Sequence, residues 1–365
     1  MKKFALAALS TVLLSSSVLH HNSLANAMGI HPESTPEAEV YANQHRDDRQ
    51  LIVLSAPAAD EPYYRDVYDQ IIEFNIAYAK SIMGKDNVVV LGDKKALALF
   101  AKELPEDILL EAPMYDIWMR DPTTVNPHNP VQFRYAAAAQ GGDQVAADEV
   151  QNKFIDFTDR LGIHYPGSDL ILDGGNLVDN HKGRVIVSDR FLQDNGLSKT
   201  EGKAVLKELL AATEVAIIPS DDPEGLAHAD GMVMFIEDNV LAINKYDGEL
   251  SGLREEIFAE LHASFPGIEI LEIPVQFDDE VWDKDFASAC GIYANALVTD
   301  QYVYMPVFGE SLDSDVIDLV QANTSKVVVP INAESVCFMG GSARCLGWQI
   351  SGTPAEKIIT AARED

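Results

Sequence analysis

The sequence predicts an α/β fold built as a closed ring of repeated units, and two observations predict it. Short polar stretches recur whose lead residues stand at Asp121, Asp173, His228, Asn295 and Cys345, at intervals of 52, 55, 67 and 50 residues. Between them the same order of elements returns: a strand or hairpin, a helix, a strand and a polar loop. A strand regained after a helical crossover runs parallel to the one before it, so each unit is a small sheet with a helix on it. A Cys, a His and several carboxylates delivered one per unit point to one shared catalytic centre. One ring accounts for the length where length alone would allow two domains, which gives a single catalytic domain over residues 51–365.

The elements follow in order. Leu51-Ile52-Val53-Leu54 reads as a buried strand, and Tyr64 to Ile82 as a helix with Val67, Ile71, Ile72, Phe74, Ile76 and Ala79 at near-helical spacing. Asn87 to Leu91 is a second strand. A helix from Lys94 to Leu104 and a strand at Ile108 to Leu110 then lead to Asp116-Ile117-Trp118-Met119-Arg120-Asp121. The second unit has a strand at Val131 to Tyr135, a helix from Asp143 to Leu161 and a strand at Leu170 to Leu172 before Asp173-Gly174-Gly175-Asn176. In the third, Arg184 to Val187 pairs back across a turn at His181-Lys182-Gly183, and a helix at Thr200 to Ala212 and a strand at Val215 to Ile218 precede His228-Ala229-Asp230. The fourth opens with a hairpin, Met232 to Ile236 and Val240 to Ile243, followed by a helix at Gly252 to Ser264 and a strand at Ile268 to Val275 before Tyr293-Ala294-Asn295. The fifth has a hairpin around Thr299-Asp300-Gln301, a helix at Asp313 to Ala322 and a strand at Lys326 to Val329 before the cysteine loop.

The chain opens with Lys2-Lys3, an apolar run from Phe4 to Leu14 and Ala25-Asn26-Ala27, the order of charge, core and small residues in a secretory signal peptide. Cleavage after Ala27 is expected, with a flexible lead-in over residues 28–50 and a secreted or periplasmic product. The apolar run is too short to span a bilayer, and no membrane association is expected after cleavage. Lys and Arg number 27 against 58 Asp and Glu, a net charge of −31 that disfavours nucleic acid and anionic lipid as partners. Three cysteines in an exported chain leave one unpaired, and Cys345 is the candidate for it.

The stretch Cys337-Phe338-Met339-Gly340-Gly341-Ser342-Ala343-Arg344-Cys345 carries the nucleophile chemistry. Adjacent glycines let the backbone turn sharply, and Arg344 is a positive neighbour expected to lower the thiol pKa. Taken singly, each residue has a plainer reading. Cys345 reads equally as a buried cysteine in a turn, Asp121 as a turn carboxylate, Trp118 as a core aromatic, His228 with Asp230 as a capped turn, and Asn295 as strand-edge polarity. No second His or Cys stands at ligand spacing near His228, so no metal is expected there.

In this order, Trp118-Met119-Arg120-Asp121, Asp173-Gly174-Gly175-Asn176, His228-Ala229-Asp230, Asn295 and Gly340 to Cys345 resemble the guanidino-group-modifying enzymes. The resemblance is to the agmatine deiminase and bacterial peptidylarginine deiminase branch and covers roughly residues 51 to 352. It implies the pentein fold, a five-fold pseudosymmetric α/β-propeller. It implies Cys345 as nucleophile, His228 as proton donor and then base, and Asp121 and Asp230 as a fork for a planar cation. Trp118, Asp173, Asn176, Asn295 and Arg134 are implied as substrate-binding residues. The implied substrate is a small cationic guanidino compound or an arginine-containing peptide, and no cofactor is implied. An amidinotransferase would use the same residues, and a non-catalytic guanidinium-binding protein would keep the fork alone.

The chain departs from the pattern at Asp173, where the family usually has glutamate, and at Asp121-Pro122-Thr123-Thr124, where agmatine-type members continue Gly-Pro. Ala136 to Ala139 stands where the bacterial peptidylarginine enzyme has a basic run, which leaves Arg134 and Arg190 to meet a terminal carboxylate. Cys290 and Cys337 sit on segments that feed adjacent site loops, and both a bridge and a reduced, buried pair are compatible with that placement.

Overall fold

The computed structural model describes residues 48–278, 281–283 and 286–364. The expected signal segment, and the expected lead-in up to residue 47, lie outside them. Gln50 is already buried and receives a hydrogen bond from Gln349 on its amide oxygen, so the fold starts ahead of Leu51.

The first unit consists of β1 (Leu51–Ser55), α1 (Tyr68–Ile82), β2 (Asn87–Gly92), α2 (Lys94–Phe100) and β3 (Leu109–Glu111), its three strands parallel. All five residues of β1 are buried because the strand serves two cores. Ile52 and Leu54 face one cluster while Leu51 and Val53 face another, which is why the stretch reads as a continuous apolar run. The second unit has β4 (Gln132–Arg134), α3 (Gln144–Arg160) and β5 (Gly167–Ile171), with an antiparallel bridge between Val125 and Val131 ahead of β4. The third has β6 (Leu177–Asp179), β7 (Arg184–Ser188), α4 (Arg190–Asn195), α5 (Lys199–Leu210) and β8 (Glu214–Ile218). The fourth has β9 (Val233–Glu237), β10 (Val240–Asn244), α6 (Ser251–Ser264) and β11 (Glu269–Ile273), followed by a small hairpin, β12 (Val281–Asp283) and β13 (Phe286–Ala287). The fifth has β14 (Leu297–Val298), β15 (Tyr302–Val307), α7 (Asp313–Ala322) and β16 (Val327–Asn332). Last come β17 (Trp348–Ile350) and α8 (Gly352–Glu364).

The predicted grammar recurs: an antiparallel hairpin, then a helix, then a parallel strand. The order is β6-β7-β8 in the third unit, β9-β10-β11 in the fourth and β14-β15-β16 in the fifth. The first unit completes the same pattern with the far end of the chain, because β17 pairs antiparallel with β1 and closes the ring. In every unit the polar loop leaves the carboxyl end of the last parallel strand, while in the second to fifth units the hairpin turn lies at the other end.

Several boundaries differ from the expected ones for local reasons. Helix α1 begins at Tyr68 instead of Tyr64, because residues 62–67 form turns that bury Tyr64 against Asp116. Helix α2 stops at Phe100, and turns lead from it to Pro105. Helix α4 was not expected, nor was α8, although α8 carries its buried Ala355, Ile358, Ile359 and Ala362 at helical spacing. Helix α5 starts at a capping box in which Ser198 and Glu201 satisfy each other's backbone donors. Among the described residues no helix is long and apolar enough to cross a membrane.

Candidate active site

The five polar loops meet, and hydrogen bonds link each to the next. Gly175 N donates to Asp121 Oδ1 at 2.9 Å, and His228 Nε2 lies 3.1 Å from Asp173 Oδ2. Asn295 Nδ2 donates to Asp230 O at 3.5 Å and to Cys345 Sγ at 3.1 Å, and Arg120 N donates to Cys345 O at 3.0 Å. The circuit thus runs from the first unit through all five and back.

Each loop has a reason for its residues. Gly175 packs so tightly against His228 Nδ1 and Asp121 Oδ1 that a Cβ there would collide with both. At Gly341 a Cβ would stand 2.5 Å from the Trp118 ring and 2.9 Å from the Cys345 Cβ, so the second glycine of the cysteine loop makes room for the nucleophile and the indole together. His228 follows Ala227, whose φ of 56° is a left-handed conformation unusual for a residue with a side chain. Asn295 Oδ1 accepts from Ser342 N and Ser342 Oγ, and its carbonyl accepts from Arg344 N, which fixes the cysteine loop on the fourth unit.

The electrostatics qualify one expectation. The positive charge of Arg344 does pull the Cys345 thiol pKa down, but it is outweighed. The Arg344 guanidinium binds Asp230 Oδ2 at 2.8 Å and the Leu177 carbonyl at 2.6 Å. Burial first, and then the carboxylates of Asp230 and Asp121, push the Cys345 thiol well above its ordinary pKa, so the resting sulfur is a thiol. Burial also raises Asp121 to about 7 against the opposing pull of His228. For His228 burial disfavours the charged ring, but Asp121 at 3.8 Å and Asp173 outweigh it and hold the imidazolium up at about 9. Asp173 reaches the imidazole despite its short side chain, because Ala136 N anchors its other oxygen at 2.7 Å.

Cys345 and His228 stand where two cavities meet. One, of about 440 Å³, is lined by Trp118, Asp121, Tyr64, Tyr135, Glu61 and Glu149 among others. The other, of about 460 Å³, is lined by Asp230, Asn295, Asp221 and Phe277 among others. Of the expected site residues, Asn176 is buried behind the site, where its side chain accepts from Ser188 N at 2.8 Å. Arg134 is outside both cavities. It is exposed and forks onto Asp148 at 3.1 and 2.7 Å. Arg190 is held by Asp194 and the Gly225 carbonyl. The tyrosines and glutamates of the first cavity carry no sequence signal, since they come from loops and helix α3 and are gathered only by the ring.

A family model for Porphyromonas-type peptidyl-arginine deiminase matches residues 42–351. The chain belongs to this family. It is a deiminase-family hydrolase acting on guanidino C–N bonds. A proposed agmatine deiminase of Vibrio parahaemolyticus is 24% identical over 280 residues, which cover 66% of this chain and 77% of that protein. The fold is the pentein fold of agmatine deiminase structures. That of C. jejuni matches 85% of this chain and 96% of its own at a TM-score of 0.66 and 18% identity. That of Enterococcus faecalis matches 88% and 98% at 0.67 and 18%.

Proposed function

We propose that this deiminase-family hydrolase converts the guanidinium of an agmatine-like substrate to a ureido group and ammonia through a covalent intermediate on Cys345. The observation that carries the reading is the meeting of one free thiol, an imidazolium and carboxylates on both sides at the junction of two cavities. A guanidinium seated between Asp121 and Asp230 brings a positive charge next to the sulfur. That charge offsets what raises the thiol pKa, so substrate arrival favours loss of the thiol proton to solvent and leaves the thiolate. The thiolate forms a C–S bond to the guanidinium carbon. His228, protonated at neutral pH, gives a proton to one amino nitrogen as the C–N bond breaks and ammonia leaves. The neutral imidazole then takes a proton from water, whose oxygen adds to the thiouronium carbon, and the C–S bond breaks as the remaining hydroxyl proton passes to the sulfur, which returns the thiol and releases the ureido product.

The tail of the substrate is expected to be cationic. Glu61 and Glu149 line the aromatic cavity on the Asp121 side, and among the described residues lining the two cavities there is no Lys or Arg to meet a carboxylate. Agmatine therefore fits better than free arginine, and better than a peptide with arginine at its carboxyl end. Incubating the purified protein with agmatine, arginine and an arginine-terminated peptide, and measuring ureido product and ammonia, tests this. Ammonia release from agmatine without added amine is expected, and a requirement for an acceptor amine would mark an amidinotransferase instead.

We also infer export to an oxidising compartment. The charge and apolar order of residues 1–27 supports it, as does the disulfide between Cys290 and Cys337, whose Cα atoms are 4.8 Å apart. Mass spectrometry of the protein from its native host is expected to find a chain that starts at Met28.

A further inference from the structure

The hairpin turns gather at the end of the ring away from Cys345, and three of them bring metal-ligand side chains together. His128 lies in the turn between Val125 and Val131, His181 in the turn between β6 and β7, and Asp300 in the turn between β14 and β15. One ligand atom from each lies within 4.8 Å of the others. His128 Nε2 and His181 Nδ1 both approach a single atom, Gln50 Nε2, at 3.2 and 3.3 Å. Two imidazole lone pairs aimed at one amide nitrogen are two lone pairs aimed at one point, which is what a cation needs. Asp300 Oδ1 stands 3.8 Å from His128 Nε2 and supplies the negative charge.

The outward nitrogens carry the partners that orient metal-bound imidazoles. His128 Nδ1 is 3.0 Å from Ser351 Oγ. His181 Nε2 is 3.8 Å from Asp179 Oδ1, a carboxylate with a side chain only 6% exposed and whose Oδ2 has no hydrogen-bond partner. A buried, under-satisfied carboxylate is costly, and a positive charge on the imidazole beside it would relieve that cost. Lys326 is committed to the carbonyls of Thr299 and Asp300 and so leaves the carboxylate of Asp300 to the histidines. A tetrahedral ion with bonds of about 2.0 to 2.2 Å needs donor atoms about 3.3 Å apart, a contraction that rotation of the exposed His128 and Asp300 side chains can supply.

We propose that His128, His181 and Asp300 bind a divalent transition-metal ion of the zinc class, stitching the second, third and fifth units together at the mouth of the ring opposite the catalytic thiol. Nitrogen and carboxylate donors without sulfur select zinc and its neighbours over calcium or magnesium. The ion acts on the fold and takes no part in the reaction.

Calorimetric titration of ZnCl2 into the purified full chain and into its Cys345→Ser variant tests the site, with thermal unfolding as a second readout. Both proteins are expected to bind one zinc per chain and to melt at higher temperature with it. His128→Asn and His181→Asn are each expected to weaken binding by about tenfold or more and to abolish the thermal shift. Asparagine is chosen at position 181 because His181 has a φ of 58°. If His181→Asn does not fold, the exposed His128→Asn and Asp300→Asn decide the matter. No binding by the parent chain, or binding that survives the His128 and Asp300 substitutions, overturns the proposal. Binding lost in Cys345→Ser and kept in His128→Asn overturns it as well, because it puts the ion on the catalytic thiol.

Discussion

Asp230 already holds a cation of the protein's own, the Arg344 guanidinium at 2.8 Å, whereas Asp121 faces an imidazole at 3.8 Å and a backbone amide at 2.9 Å. The two carboxylates come from equivalent loops of a repeated unit, and both stand within reach of the nucleophile's surroundings. Their burdens differ. Asp230 ties the cysteine loop to the third unit, so its charge is partly spent on structure. Asp121 is held up at about 7 by burial and stands to gain most from a substrate cation. A repeat can therefore place like residues around a centre while the neighbours of each assign it a different task.

The largest effect is expected at the sulfur between the two walls. Cys345→Ser should lower turnover by at least about 10³-fold while still binding agmatine, as nucleophile removal does elsewhere. Equal loss of activity in Cys290→Ser would move the nucleophile. The Cys345→Ser background then allows the walls to be compared by binding calorimetry. Asp121→Asn is expected to cost about 2 to 5 kcal/mol of agmatine affinity, the range for one partner lost from a desolvated charge pair, with little change in melting temperature. Asp230→Asn should instead show its main effect on folding, about 3 to 5 kcal/mol of stability, since it leaves the buried Arg344 without its partner. Equal melting temperatures for the two variants would erase the distinction.

The disulfide bears on the same loop from outside. Replacing Cys290 and Cys337 together by Ser should destabilise the chain by about 2 to 4 kcal/mol, and the unfolded parent should titrate with one free thiol. Three free thiols would show that the bridge does not form. A smaller effect is expected with pH. Because Asp121 titrates near 7 and binds the cation only when ionised, agmatine binding should weaken as pH falls through about 7, and Asp121→Asn should lose that dependence. On the opposite limb, Asp173→Asn removes one of the carboxylates that hold His228 up at about 9. The alkaline fall of the turnover rate should then move to lower pH, and Asp173→Glu should restore it if reach alone matters.

Repetition made the fold legible in the sequence. Apolar runs such as Val88 to Leu91 and the returning order of helix and strand are local signals, and they are strong because both faces of the inner strands are buried. Cys345, His228, Asp121, Asp173 and Asn295 were legible for a related reason, since each ends its unit in a loop too polar for the core around it. What the residues do to one another was decided by the tertiary structure. Arg344 stands next to Cys345 in sequence and draws its thiol pKa down, yet burial and the carboxylates of Asp230 and Asp121, which only the fold brings to the sulfur, outweigh it and the pKa rises. Arg134, expected at the substrate, is spent on Asp148, fourteen residues along the chain. Neighbours in sequence set backbone geometry, but charge interactions depend on distance and burial, and the closing of β17 onto β1 sets those across nearly the whole length of the chain.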